Sequence, residues 1–118
     1  MVTRKQLEEY RSGTKEVREM RARMRTAELE ALHSGREEDA ERARSAAAEY
    51  DAMAEVRELE LMQVLAAIDG LENVQQRRAL MLIYVDGLSR TAAAMRMERS
   101  PEAIDKYIAA GIRELEKE

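Results

Sequence analysis

The sequence contains no cysteine, no tryptophan and no phenylalanine, and has only one proline and five glycines among 118 residues. Without cysteine there is no disulfide framework, no thiolate metal site and no cysteine nucleophile. The single histidine, His33, has no second histidine to complete a metal pair, and no glycine-rich loop of the phosphate-binding kind is present. Neither enzymatic activity nor a cofactor is therefore expected. The chain also lacks any apolar run long enough for a signal peptide or a membrane span, which points to a soluble, cytoplasmic protein without a membrane partner. With four tyrosines as the only aromatic residues, burial must come from Leu, Ile, Val, Met and Ala on helix faces.

What the sequence does have is charge. Charged residues make up 37% of the chain, and the net charge is -4. The distribution is more informative than the sum. Residues 1–27 carry eight Lys/Arg against four Glu, residues 28–69 four Arg against twelve acids, and residues 70–118 eight of each. The acidity thus sits in the middle of the chain, away from its carboxy-terminal part.

Apolar residues recur every three or four positions from Thr3 to Leu32 (Leu7, Tyr10, Val17, Met20, Met24, Ala27, Ala31), the pattern of one face of an amphipathic helix. Thr3 is its expected N-cap, with Gln6 at the capping-box position. Gly13 lies on the same face and weakens it by about 1 kcal/mol relative to alanine. Such a helix, roughly 45 Å long, needs a partner for its stripe. His33-Ser34-Gly35 reads as a turn, and a second periodic stretch from Glu37 to Asp69 supplies the partner (Ala43, Ala47, Tyr50, Ala54, Leu61, Leu65, Ile68). A short connection between long helices predicts an antiparallel hairpin. Folding it about Gly35 sets Arg11, Arg18 and Arg25 opposite the region of Glu58, Asp51 and Arg44, two attractive pairings of three. The basic first helix is therefore read as charge matching between solvated helix faces, in preference to the sharper alternative that Arg18, Arg21, Arg23 and Arg25 touch DNA phosphate. The second helix widens at Met53, Val56, Leu59 and Met62, which need a further covering surface.

Gly70 ends that helix. A third, capped by Asn73, is predicted to run to Val85 and to stop at Asp86-Gly87, with glycine in the left-handed position and Leu88 packing back. Ser89 caps a short alanine-rich helix, Arg90 to Met97. Ser100-Pro101-Glu102 then opens a last helix with Ile104, Ile108, Ile112 and Leu115 on one face. The expected fold is all-α, with residues 1–69 a long helical hairpin and residues 70–118 a three-helix domain containing a helix-turn-helix.

The segment Gln76-Arg77-Arg78-Ala79-Leu80-Met81-Leu82-Ile83-Tyr84-Val85-Asp86-Gly87-Leu88-Ser89 resembles the promoter-reading carboxy-terminal domain of bacterial sigma factors. There a helix ending in Leu-x-Tyr-x-x-Gly-Leu-Ser precedes the helix-turn-helix. The likeness continues through Ala94, Met97, Ser100, Ile104, Ile112 and Leu115, and with the hairpin in front the chain is similar to phage and mobile-element regulators of the RinA and ArpU kind. The resemblance implies sequence-specific binding to double-stranded DNA in transcription regulation, with the last helix in the major groove. Where such domains have a glycine in the turn this chain has Glu98, and where they have an apolar residue it has Arg99.

On that reading Arg90, Arg96, Arg99 and Arg113 hold phosphates, together with the Ser100-capped start of the last helix. Lys106 and Tyr107 read bases, and Ala103 meets a thymine methyl. The plainer alternatives are solvated helix surface for the arginines and a partly buried core position for Tyr107. The last helix is poor in cations, so a single copy binds weakly, and a homo-oligomer formed through the hairpin is expected to compensate. The same scarcity leaves a second possibility, a non-catalytic adaptor with a sigma-like fold that docks on RNA polymerase or another regulator.

Overall fold

The structure, a computed structural model, describes residues 1–117. The described residues form six helices and no strand: α1 (Arg4–Glu8), α2 (Tyr10–His33), α3 (Glu37–Asp69), α4 (Val74–Leu80), α5 (Arg90–Met97) and α6 (Pro101–Glu116). A π-helical turn, Met81–Val85, prolongs α4. The fold is all-α, as the periodicity predicts, and no helix is long and apolar enough to cross a membrane.

Local chemistry accounts for most helix ends. The Thr3 hydroxyl accepts the Gln6 N–H at 3.3 Å while the Gln6 side chain accepts the Thr3 N–H at 2.9 Å, a reciprocal capping box. The first stripe is not one helix, however: it is interrupted for one residue at Glu9, which separates α1 from α2. Between α2 and α3 the Ser34 hydroxyl accepts the Arg36 N–H and donates to the Arg36 carbonyl. Glu37, Glu38 and Asp39 then occupy the first turn of α3, where the helix dipole favours acids.

Contacts divide the chain into two compact units, one of Ser12–Leu61 and one of Met1–Arg11 with Met62–Glu118. This division does not fall at 69/70, where turn chemistry puts it. The first eleven residues and the end of α3 belong with the carboxy-terminal helices.

The Ser12–Leu61 unit is an antiparallel pair of helices. Its register differs from a fold about Gly35 alone: Arg21, rather than Arg18, faces Asp51 at 3.5 Å and Glu58 at 2.7 Å, and Arg57 meets Glu16 at 3.3 Å. Glu58 and its neighbours raise the pKa of the Arg21 guanidinium. Gly13 has a purpose that propensity hides, because a Cβ there would stand 2.7 Å from the Leu61 side chain. The helices approach closely at that point, and the buried positions are small: Ala27, Ala40, Ala43, Ala47 and Ala54, with Leu61. Met53, Val56 and Leu59 stay exposed, and so does Met62 of the other unit, so none of these four has the cover that the periodicity calls for among the described residues.

The other unit holds the four largest fully buried side chains, Leu7, Ile68, Leu80 and Ile104. Arg77 donates to the Leu71 carbonyl at 2.7 Å and ties down the loop before α4. The π-helical turn inserts an extra residue, with the Asp86 N–H reaching the Met81 carbonyl and the Leu88 N–H that of Leu82. Gly87 sits beyond it at φ 73°, with the Arg11 guanidinium against its backbone.

Burial raises the pKa of Tyr10 and Tyr84; at Tyr84, Arg4 opposes and Glu8 reinforces the shift. The folded chain holds both phenolic protons more tightly than the unfolded chain does. The associated stability is complete below about pH 10, the ordinary phenol range, and is lost as pH rises through the folded values. An ultraviolet titration is expected to show phenol ionisation coupled to unfolding on the alkaline side, and Tyr84→Phe to shift that unfolding to higher pH.

Candidate nucleic-acid interface

Helices α4, α5 and α6 pack on one another, α6 touching both of the others. The Ser89 hydroxyl accepts the Ala92 N–H at 3.1 Å and starts α5, which buries Ala93, Ala94 and Met97. Helix α5 stops at Glu98, whose backbone is left-handed at φ 55° and ψ 47°. The Arg99 N–H closes the end on the Ala94 carbonyl at 3.0 Å, the bonding that usually follows a glycine at this position. After a three-residue turn the Ser100 hydroxyl accepts the Ala103 N–H at 3.2 Å, and Pro101 begins α6.

Helix α6 buries Ile104, Ile108, Gly111, Ile112 and Leu115 along one stripe. Gly111 lets it come close to α4, since a Cβ there would lie 2.9 Å from Leu80 and 3.4 Å from Gln76. With one stripe fixed inward, the helical period turns Glu102, Lys106 and Arg113 outward, flanked by the half-buried Ala103, Tyr107 and Ala110. This short helix, turn and longer helix match the arrangement that the capping residues predict.

The eight expected contact residues fall into three groups. Lys106, Arg113, Ala103 and Tyr107 lie on α6 away from its buried stripe, and among the described residues Lys106 and Arg113 make no ion pair. Arg96, Arg99 and Ser100 are exposed at the end of α5 and in the turn; Arg96 makes no ion pair among the described residues, Arg99 donates to the Glu98 carbonyl at 3.2 Å, and Ser100 is engaged as a cap. Arg90 stands apart: its guanidinium is bound to the Asp105 carboxylate of α6. That pair joins residues fifteen positions apart, and no local pattern announces it. Lys117 was legible by the four-residue step from Arg113, but it is paired with Glu114 at 3.1 Å. With Glu114 paired to Lys117, the exposed Glu102 and Glu116 balance Lys106 and Arg113, so the exposed charges of α6 and its cap sum to zero.

The chain matches no protein-family model, no curated protein and no solved structure.

The two left-handed residues make opposite predictions. A non-glycine residue in this conformation costs about 1–2 kcal/mol, partly offset in the unfolded chain by the greater freedom of glycine. Glu98→Gly is expected to stabilise the protein by about 0.5–1 kcal/mol, and Gly87→Ala, which also displaces Arg11, to destabilise it by about 1–2 kcal/mol. Thermal unfolding checks both; equal effects in the same direction would contradict the assigned backbone.

Proposed function

We propose that the chain is a sequence-specific DNA-binding transcription regulator of the phage or mobile-element type, acting in the cytoplasm as a homo-oligomer held through the helical hairpin. The observation that carries this reading is the outward face of α6, where Lys106 and Arg113 stand without ion-pair partners beside Ala103 and Tyr107. Phosphates bind Arg96, Arg99 and Arg113, and the capped start of α6 offers its backbone N–H groups to another. Lys106 suits the acceptor edge of a guanine, and Ala103 a thymine methyl. Arg90 reaches a phosphate only by leaving Asp105. Few cations per chain mean weak binding by one copy, and two linked copies offset this by raising each other's effective concentration.

A second reading, a non-catalytic adaptor docking on RNA polymerase or another regulator, draws on the same face. Arg90 is already neutralised by Asp105, Glu114 is paired with Lys117, and Glu102 and Glu116 offset the free cations. Two acids beside the half-buried Ala103 and Ala110 suit a protein surface better than a polyanion.

Titration of the full chain against a pool of random duplexes separates the two. Each neutralised phosphate contributes about -0.9 to the slope of log affinity against log salt. A reader using Arg96, Arg99, Lys106 and Arg113 is expected to give roughly -3 to -4 per chain, with Lys106→Ala and Arg113→Ala each removing about 1. Binding that is absent at low salt, or indifferent to both substitutions, would favour the adaptor. Recovery of a two-part site from the pool would further identify a symmetric reader.

A further inference from the structure

The Ser12–Leu61 unit is a single layer of two helices whose buried positions are alanines, Gly13 and one leucine. A pair of helices cannot enclose a core by itself; it needs a second layer on one of its faces. One face carries a groove of about 590 Å³ floored by Met24, Ala31, Leu32, Ala47 and Ala48, with Glu28 and Arg44 on its walls. Leu32 is 78% exposed there, so the groove is open to solvent in a single chain.

The charges along this face indicate what covers it. Within one chain Glu16 lies abreast of Arg57 and Arg21 abreast of Asp51. By the same antiparallel register Arg18 stands level with Glu55, and Glu28 with Arg44. A two-fold axis parallel to the helices preserves these levels and brings α2 of each chain beside α3 of the other, with all neighbouring helices antiparallel. The levels of Arg18 and Glu28 then pair unlike charges: Arg18 with Glu55 of the second copy, and Glu28 with Arg44, which a lone chain holds against Glu37 at 2.8 Å. A two-fold axis across the helices would instead bring α2 against α2, setting the arginine row Arg18, Arg21 and Arg25 near its own copy. Arg18 and Glu28 make no ion pair among the described residues, so both are available.

We propose that the face lined by Met24, Leu32 and Ala48 is the dimer interface of this protein, and that a second copy of the chain covers it as a four-helix bundle. Its symmetry axis runs along the hairpin, and Arg18–Glu55 and Glu28–Arg44 are the contacts between chains. The inference specifies the oligomer of the proposed function and rests on that part of the reading, but not on DNA binding.

The test is sedimentation of the full-length chain and two charge reversals, Arg18→Glu and Glu55→Arg, each alone and mixed in equal amounts. Either reversal alone places like charges together twice in a homodimer and is expected to weaken association about tenfold or more. In the mixed dimer both contacts regain opposite charges, so the mixture is expected to associate as tightly as the original chain. A charge pair within one chain cannot be rescued by mixing. A chain that stays monomeric at high micromolar concentration, reversals that leave the dimer unchanged, or a mixture no tighter than its components would overturn the proposal. No DNA enters the measurement, so its failure and the failure of DNA reading are distinguishable.

Discussion

Close approach of helices at small residues is the constraint on which this structure depends. The chain has no large aromatic side chain other than tyrosine, so helices that met at ordinary spacing would leave gaps between Leu, Ile and Ala stems. Gly111 against Leu80 and Gly13 against Leu61 mark where that spacing closes. In the unit that includes α4, α5 and α6 the consequence is the orientation of α6. Fixing Gly111, Ile104 and Ile108 inward leaves one rotation for α6, and that rotation turns Lys106 and Arg113 to solvent. In the Ser12–Leu61 unit the same economy of volume leaves a core of alanines, and an alanine core between two helices cannot hide much apolar area.

Electrostatics then sets what the two surfaces can do. The exposed charges of α6 nearly cancel, and a further cation beside it, Arg90, is held by Asp105. This arrangement disfavours indiscriminate attachment to any polyanion and leaves recognition to a few contacts. On the proposed DNA-binding function, affinity would have to come from elsewhere, and joining copies is the route open to a chain with so few candidate phosphate contacts. On the hairpin the charges are plentiful but ordered by level. Order of that kind adds little stability through exposed pairs, at about 0–1 kcal/mol each, yet it can select one packing over another.

The parts of the fold legible in the sequence are those decided by one residue and its near neighbours. Thr3 with Gln6, Asn73, Ser89 and Ser100 cap helices because a short polar side chain can reach an unpaired N–H, and Gly87 stops one because glycine tolerates positive φ. Glu98 was visible as a departure from pattern, and the backbone there is indeed left-handed. Features set by tertiary packing were not legible. The register that gives Asp51 and Glu58 to Arg21 depends on how closely two helices approach. The interruption at Glu9 leaves Leu7 and Tyr10 at helical spacing, and the π-helical turn falls in the run Leu80 to Val85, apolar at every position, so periodicity could not reveal either. The exposure of Met53, Val56 and Leu59 was missed for a related reason, since an apolar row reads as buried whether or not anything in the chain covers it. Of the expected interface, the α6 residues follow from the helical period, whereas the capture of Arg90 by Asp105 requires three-dimensional proximity.

On the proposed function, the surface of α6 opposite Ile104 and Ile108 is the one that meets duplex DNA. Amide chemical-shift mapping of the isotopically labelled chain on addition of duplex tests it most directly. The account predicts that the largest changes fall at Arg99 to Lys106, with further changes at Tyr107, Ala110 and Arg113. Changes confined to residues 12–61, or none at low salt, would contradict it.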